Sequence, residues 1–233
     1  MRIINPKGEF MSDISVTSLL DLEHTVAREL FLAHTYPWEV LPEIQRYITA
    51  LIDRLPPEKY CYLQKDVAIA KSAKVAENVT VLGPTIIGDK CELRSGAFIR
   101  GGVLIGDGVT IGNSCEIKNS IVFDGAQIPH FNYVGDSIIG YRAHLGAGVI
   151  TSNLKSDKSH VYVKCGEDNI PTGLKKFGAI IGDEAEIGCN AVLNPGAIVG
   201  RSSIVYPLSS VRGTVPARSI LKTGGVVVRQ KNI

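Results

Sequence analysis

The fold is decided by residues 69–123, which read IAKSAKVAENVTVLGPTIIGDKCELRSGAFIRGGVLIGDGVTIGNSCEIKNSIVF. An aliphatic or aromatic residue stands at every sixth position of this stretch, and the spacing returns nearer the C-terminus. The two runs are Ile69, Val75, Val81, Ile87, Leu93, Ile99, Ile105, Ile111, Ile117, Phe123, and then Ile181, Ile187, Leu193, Val199, Val205, Val211. A period of six fits neither an amphipathic helix, with a period of about 3.6, nor a strand, with a period of about 2. It is typical of a hexapeptide β-helix, in which three edges form a triangular coil and the coils stack around an apolar axis. The sequence therefore predicts a mainly β chain, a left-handed parallel β-helix whose period-six residues point to the axis.

Composition and charge exclude several functional classes. The net charge is +2, and no basic stripe with interleaved aromatic residues suggests binding to nucleic acid. No apolar run is long enough to span a bilayer, so we expect no membrane partner. The five cysteines form no CxxC pair, and Cys91 and Cys115 stand at positions of small corner residues, where a buried thiol acts as a small hydrophobe. This cysteine usage favours a reducing, cytoplasmic compartment.

The chain divides into three segments. In residues 1–60, apolar residues recur at helical spacing over 19–31 and 41–52, which predicts two amphipathic helices joined by residues 34–38. We expect this helical segment to cap the first coil of the β-helix, or else to contact a partner. Residues 61–216 form the β-helix, interrupted at 155–176 by a polar stretch without the sixfold pattern, and residues 217–233 form a C-terminal arm.

A break in the sixfold phase between Gln127 and Ser137 contains the first candidate for chemistry, His130. Left-handed β-helices commonly serve as acyltransferases, in which an amine or hydroxyl attacks a thioester. This reaction needs a base of near-neutral pKa, donors for the oxyanion and cations for the phosphates of coenzyme A. His130 is the only histidine in the break and is the candidate base, although a structural histidine at an irregular turn fits the pattern equally well.

The stretch from Ala97 to Asn153 resembles the acetyltransferase half of the bifunctional glucosamine-1-phosphate acetyltransferase/uridyltransferase family. Its motifs follow the family order and spacing without gaps, at residues 98–100, 111–120, 130–136 and 145–153. Residues 161–182 are similar to archaeal sugar-1-phosphate nucleotidylyltransferases that carry acetyltransferase tails. The resemblance covers most of the predicted β-helix but not the first 60 residues.

The resemblance implies roles for individual residues. It makes His130 the catalytic base and Asn153 a residue that orients the amine, with Tyr133 hydrogen-bonded to the sugar. It assigns the sugar phosphate to Arg100 and Lys118, a pair of cations suited to a phosphomonoester. The remaining candidates are His144 for the substrate, and Lys158, Cys189 and Tyr206 along the acetyl-CoA channel.

The chain departs from the family pattern at four positions. His144 replaces an asparagine, and Leu154 replaces an aromatic or polar residue. The family lysine falls at Ser159, next to Lys158, and Tyr206 occupies a position that is usually small. These departures affect the identity of the acyl donor and acceptor more than the existence of a site.

The function implied by the resemblance is that of an acetyl-CoA-dependent N-acetyltransferase acting on an amino-sugar phosphate such as glucosamine 1-phosphate, or on a sugar nucleotide. The family implies a homotrimer, with each site between neighbouring chains, and no metal in the acyl transfer. No G-x-G-x-x-G motif opens the chain, so we expect a separate polypeptide to supply any nucleotidyltransferase activity.

Two other functions stay open at this point. A γ-type carbonic anhydrase would bind zinc through three histidines, but His130, His144 and His160 lack the close pair that such sites use. A non-catalytic module would bind a sugar nucleotide or recruit a separate nucleotidyltransferase, with residues 36–38 as an exposed contact.

Overall fold

A computed structural model describes residues 13–225 and 227–229, and in it the chain winds as a left-handed parallel β-helix with three sheets. Each coil passes from face A to face B to face C. Face A contains β1 (Tyr60–Gln64), β2 (Val67–Ala70), β5 (Thr85–Ile87), β8 (Val103–Ile105), β11 (Ser120–Val122), β14 (Ile138–Ile139), β19 (Ala179–Ile181), β22 (Ala197–Val199) and β25 (Thr214–Val215). Face B contains β3 (Lys74–Val75), β6 (Glu92–Leu93), β9 (Thr110–Asn113), β12 (Gln127–His130), β15 (His144–Leu145), β20 (Glu186–Ile187), β23 (Ile204–Val205), β26 (Ser219–Leu221) and β27 (Val227–Arg229). Face C contains β4 (Thr80–Val81), β7 (Phe98–Ile99), β10 (Glu116–Lys118), β13 (Tyr133–Gly135), β16 (Ile150–Thr151), β21 (Val192–Leu193) and β24 (Ser210–Val211). The fold class predicted from the sixfold period is confirmed.

The edges of two sheets are closed by antiparallel strands. β1 pairs with β2 at the start of face A, and β27 pairs with β26 at the end of face B. An edge strand that already has a partner offers fewer free backbone groups to other chains. The coil continues through Ser219–Leu221, so part of the segment predicted as a C-terminal arm belongs to the β-helix.

The axis of the β-helix is filled by the period-six residues, apart from Phe123 and from Val75, which is 38% exposed on the first coil. Phe123 does not point to the axis, because its neighbour Val122 takes that place and Phe123 packs in a second core outside face A. Ile117 is therefore followed on the axis by Val122 after five residues rather than six. The prediction that Phe123 points to the axis was therefore wrong.

The phase change has its origin in two shortened corners. Ile99 pairs with Ile117, 18 residues further on, whereas Ile105 pairs with Val122, 17 residues further on. The missing residue lies at the corner between faces C and A, where Asn119 has a φ of 44°, and the next coil turns the same corner at Asp136, with a φ of 48°. Asn and Asp adopt this left-handed conformation more readily than other non-glycine residues. The break that the sequence placed between Gln127 and Ser137 is thus two one-residue steps.

The N-terminal helices are shorter than predicted. They are α1 (Val16–Leu19), α2 (Arg28–Leu32) and α3 (Ile44–Ile52), with 3₁₀ turns at Leu22–His24 and Pro37–Val40. The single helix expected over 19–31 is interrupted at Leu20, which is extended, and Asp21 caps the following turn by accepting a hydrogen bond from the Glu23 amide. Among the described residues, no helix has the length and apolar character needed to cross a membrane.

The helical segment covers a side face of the β-helix and not its end. Its buried residues pack on the outward aliphatic side chains of face A, such as Ile86, Leu104 and Ile121. Trp38 is only 2% exposed and lies 5.9 Å from the ring of Phe177. The prediction that this segment caps the end of the β-helix was wrong, and so was the prediction that residues 36–38 are exposed. The physical reason is that the outer surface of face A is apolar and needs a cover.

The insertion predicted at 155–176 contains a β-hairpin. Its strands are β17 (Tyr162–Cys165) and β18 (Asp168–Pro171), and they pair antiparallel. Val161, Val163 and Phe177 are buried in the same outer core as the helices. The insertion is therefore packed against the β-helix close to its last coils.

Candidate functional site

Face C presents a column of outward side chains at its corner with face A. In each coil this position directly follows an axis residue such as Ile99 or Ile117, so its side chain points away from the axis. We call this the outer column of face C, and from the second coil onward its members in chain order are Arg100, Lys118, Gly135, Ser152, Asn194 and Arg212. Two residues predicted to bind the substrate phosphate, Arg100 and Lys118, thus lie in adjacent coils.

A buried carboxylate organises the middle of this column. Asp136 is 5% exposed, and its Oδ1 accepts a hydrogen bond from Asn119 Nδ2 at 2.9 Å. Its Oδ2 accepts from Asn153 Nδ2 at 2.5 Å and from Lys118 Nζ at 3.4 Å. The shortened corners at Asn119 and Asp136 bring these side chains from three coils into one cluster, which we call the Asp136 cluster.

Tyr133 joins the Asp136 cluster by reaching across face C. Its hydroxyl accepts a hydrogen bond from Asn153 Nδ2 at 3.2 Å. The ring lies over Gly135, where a Cβ would come within 2.5 Å of the hydroxyl oxygen, so only glycine leaves room for it. Burial raises the pKa of Tyr133, and the nearby carboxylate of Asp136 adds to this shift, so the hydroxyl is protonated at neutral pH. The structure therefore brings together three of the predicted residues: Lys118, Tyr133 and Asn153.

Arg100 lies at the edge of this group with a partner of its own. Its Nη1 is 2.6 Å from Glu116 Oε1, and its guanidinium carbon is 5.9 Å from the centre of the Phe98 ring. Glu116 is paired in register with Tyr133 on the next coil. Both predicted phosphate ligands, Arg100 and Lys118, are therefore matched by carboxylates in this structure.

His130 lies at the corner between faces B and C, three residues before Tyr133. Its side chain is exposed, and within the described part of the chain it makes no hydrogen bond or ion pair. The main chain is fixed: its carbonyl accepts from the Gly148 amide at 3.0 Å, and Gly112 allows the preceding residue, Pro129, to approach closely. His130 is thus a solvent-accessible imidazole held on a fixed main chain, at the opposite corner of face C from the Asp136 cluster.

Two predicted cofactor residues follow His130 along the same corner. Backbone hydrogen bonds join successive coils at this corner. The Gly148 amide donates to the His130 carbonyl, the Asn190 amide to the Ala147 carbonyl, and the Leu208 amide to the Cys189 carbonyl. Cys189 is exposed, and Tyr206 is 40% exposed one coil beyond it. With strands spaced about 4.8 Å apart, Cys189 lies about 10 Å and Tyr206 about 14 Å along the axis from His130.

The structure does not bring the other two candidates to this corner. Lys158 lies in a turn of the insertion, where its amide donates to the Lys155 carbonyl at 3.0 Å. His144 begins its strand at the far end of face B and lies 2.8 Å from Glu186. Neither residue has a described contact with His130 or with the Asp136 cluster.

The site contains three polar residues for which no role was predicted, namely Asp136, Asn119 and Glu116. Asp136 belongs to the quoted motif at residues 130–136, but its part in the cluster depends on the shortened corner. A useful signal was available, because the axis spacing drops from six to five residues at both Asn119 and Asp136. No group of three or more His, Cys, Asp or Glu side chains suited to a metal ion occurs in the described ranges.

Comparisons with known proteins agree with the resemblance seen in the sequence. The domain family described as "GMPPB C-terminal domain" matches residues 81–168. The chain is 36% identical over 151 residues to a "Bifunctional sugar-1-phosphate nucleotidylyltransferase/acetyltransferase" of Sulfurisphaera tokodaii, covering 57% of this chain and 38% of the relative. It is 33% identical over 188 residues to a "Bifunctional protein GlmU" of Methanococcus maripaludis, covering 73% of this chain and 42% of the relative.

Among solved structures, the chain is similar to AntD, an N-acyltransferase from Bacillus cereus in complex with dTDP-4-amino-4,6-dideoxyglucose and coenzyme A. The identity is 15%, the TM-score is 0.35, and the match covers 72% of this chain and 83% of that one. The chain spans less than half the length of the two bifunctional relatives. Its homologues are thus sugar-1-phosphate nucleotidylyltransferase/acetyltransferases, as the motifs between Ala97 and Asn153 predicted.

Proposed function

We propose that this chain is an acetyl-CoA-dependent N-acyltransferase that acts on the amino group of a phosphorylated amino sugar. The observation that carries the proposal is the position of His130, an exposed imidazole without a partner among the described residues. Across face C from it lies a preorganised cluster of hydroxyl, amide and charged groups at Tyr133, Asp136 and Asn153, and Tyr133 follows His130 by three residues. The similarity to the bifunctional relatives supports the same class of reaction.

In this proposal His130 acts as the general base. It takes a proton from the sugar ammonium or from the amine as the nitrogen attacks the thioester carbonyl. A carbon–nitrogen bond forms, the carbon–sulfur bond breaks, and the departing thiolate of coenzyme A takes up a proton. An imidazole can both accept and release a proton, which suits this task, and the exposure of His130 leaves space for both substrates.

The Asp136 cluster is proposed to position the sugar. Asn153 Nδ2 donates to the Tyr133 hydroxyl and to Asp136 Oδ2, and these two hydrogen bonds fix the amide and the phenol relative to each other. Preorganised donors and acceptors of this kind orient a substrate without ordering costs at binding. Loss of Asp136 would therefore impair sugar binding even though the carboxylate itself is buried.

Coenzyme A is proposed to lie along the B–C corner past Cys189 and Tyr206, where a second copy of the chain completes the channel in a homotrimer. Phe131 and Leu208 turn this corner with φ of 53° and 59°, and they are 62% and 73% exposed. A left-handed conformation costs a bulky residue about 1–2 kcal/mol, and two large apolar side chains exposed at one corner suggest an interface. We expect Leu208→Asn to stabilise the monomer and to shift the assembly toward smaller species, measured by light scattering after size-exclusion chromatography. An unchanged mass at all concentrations would argue against this corner as the interface.

The activity is tested by thiol release from acetyl-CoA in the presence of glucosamine 1-phosphate. We expect turnover by the wild type and a loss of at least about 100-fold in His130→Ala, the range for removal of a general base. His160→Ala is the matched control, because His160 is exposed in the insertion and away from this corner. Equal rates in both variants would contradict the role of His130. No turnover with any phosphorylated amino sugar would contradict the function.

A further inference from the structure

A basic cavity of about 490 Å³ lies between the hairpin of the insertion and the last coils of face C. Its lining includes three cationic and three neutral polar side chains. These are Lys155, Lys164 and Arg212, with Tyr162, Asn169 and Asn194. None of the roles proposed above uses this cavity.

Two of the cations in the cavity have no anionic partner within the described part of the chain. Lys155 is 3.4 Å from Asp157 and also donates to Ser159. Lys164 and Arg212 have no carboxylate within ion-pair distance in the described ranges. Arg100 and Lys118, in contrast, are each paired with a carboxylate. A phosphate in the cavity would therefore contact Lys164 and Arg212 without displacing a carboxylate. At the other end of the column it would have to compete with the carboxylates of Glu116 and Asp136.

The cavity is preformed by packing of the hairpin on the β-helix. Thr214 Oγ1 donates to the Lys164 carbonyl at 2.7 Å, and Val163 is fully buried beside it. Gly213 has a φ of 74°, and a Cβ at this position would lie 3.2 Å from Lys164 Cβ. These contacts fix Lys164 opposite Arg212 before any ligand arrives.

The cavity lies on the same column of face C as the proposed sugar site. Arg212 and Asn194 belong to the outer column of face C, which also contains Lys118. Ser152, next to Asn153, is two coils from Arg212, a separation of about 10 Å along the axis. A sugar ring held by Tyr133 and Asn153 can therefore extend its anomeric substituent into the cavity. Cys189 and Tyr206 lie at the other corner of face C.

We propose that this cavity binds the diphosphate of a nucleoside diphosphate sugar, so that the acceptor is nucleotide-linked and its phosphates lie on Lys164 and Arg212 rather than on Arg100 and Lys118. This assignment of the acceptor rests on the proposed acyltransferase function. Arginine and lysine with neighbouring amides suit phosphate oxygens, since charge-assisted hydrogen bonds are the stronger kind. The phosphates of coenzyme A share this chemistry, and the experiment separates the two sources.

The test is calorimetric binding of UDP, GDP, dTDP and coenzyme A to the full chain and to the double variant Lys164→Gln/Arg212→Gln. Both side chains are exposed, so the variant should keep the fold. We expect at least one of the three diphosphates to bind the wild type in a salt-dependent manner and to lose roughly tenfold or more in affinity in the double variant. Coenzyme A should bind both proteins alike. Lys175→Gln, at an exposed position of the same insertion outside the cavity lining, is the matched control and should behave as wild type.

Three results would overturn the proposal: no diphosphate binding to the wild type, equal diphosphate affinity in the double variant, or a loss confined to coenzyme A, which would assign the cavity to the cofactor. The binding result is independent of turnover. Thiol release could be absent while the double variant still loses affinity for the diphosphate. That result would support a nucleotide site in the cavity and contradict the acyltransferase function. If thiol release depends on His130 while diphosphate binding ignores the cavity, the function stands and this inference fails.

Discussion

Replacement of Asp136 by asparagine tests whether one buried carboxylate organises the site. Asp136 accepts hydrogen bonds from Asn119, Asn153 and Lys118, and its side chain is only 7% exposed. Asparagine has nearly the same shape but one acceptor fewer, and its amide group must face the amide of Asn119 or of Asn153. The substitution therefore removes charge and creates a donor–donor conflict without creating a cavity.

The size of the effect follows from these contacts. Two charge-assisted hydrogen bonds are lost or weakened, each contributing about 1.5–3 kcal/mol. Lys118, with 24% of its side chain exposed, recovers part of its hydration, and rotation of the Asn119 amide can restore one neutral hydrogen bond. We expect the free energy of unfolding to fall by about 2–3 kcal/mol.

Urea unfolding followed by circular dichroism measures this change. Asp157→Asn is the control, because that carboxylate is paired with Lys155 at an exposed position and its loss should leave stability unchanged within error. The double variant Asp136→Asn/Asn119→Asp exchanges the amide and the carboxylate, and it should regain at least half of the lost stability. A loss below about 0.5 kcal/mol in Asp136→Asn, or no recovery in the exchange, would refute the reasoning.

Three further predictions concern close packing and buried groups in the β-helix. In Gly112→Ala the new Cβ would lie 1.3 Å from the Pro129 carbonyl oxygen, so the strand carrying His130 must move; we expect stability to fall by about 2 kcal/mol or more, and an unchanged thermal midpoint would contradict this contact. Burial raises the pKa of the Cys91 thiol to about 12, so a thiol reagent at about pH 8 should modify the exposed Cys61 and Cys189 and leave Cys91 unmodified until the protein unfolds. Burial also raises the pKa of Asp183 above 3.8, despite hydrogen bonds from the Tyr141 amide and Arg201. The folded state thus holds this proton more tightly than the unfolded chain, so the stabilisation is complete below pH 3.8 and is lost as the pH rises through the folded pKa. Relative to Asp183→Asn, the wild type should lose stability over this rise, and a difference independent of pH would contradict the shift.

The sixfold period is enough to predict the β-helix because axis burial imposes it on every coil. It fails to predict single-residue changes of coil length. The sixfold run includes Phe123 only by coincidence, because Val122 and Phe123 are both large and apolar. Val122 is buried on the axis, and Phe123 is buried on the outer side of face A. Pattern reasoning cannot separate two adjacent apolar residues without knowing where the corner shortens.

The candidate site was predictable in part for a similar reason. Motif order located Lys118, Tyr133 and Asn153, which the structure brings together, because the motif spacing encodes the coil length. The carboxylates that pair with Arg100 and Lys118 could not be foreseen in the same way. Glu116 and Asp136 reach their partners across neighbouring coils, 16 and 18 residues away in sequence, and this depends on side-chain direction at each corner.

The placement of the N-terminal helices follows from the aliphatic residues that precede the axis residues of face A. Every coil but the last carries an aliphatic pair at face A, with one residue on the axis and its predecessor facing outward. The outward members are Ala68, Ile86, Leu104, Ile121, Ile138, Ile180 and Ile198. An aliphatic residue beside every third axis position predicts a face that is apolar on both sides, and such a face requires a cover. The helices and the insertion supply that cover over face A, whereas His130, at the corner between faces B and C, stays exposed.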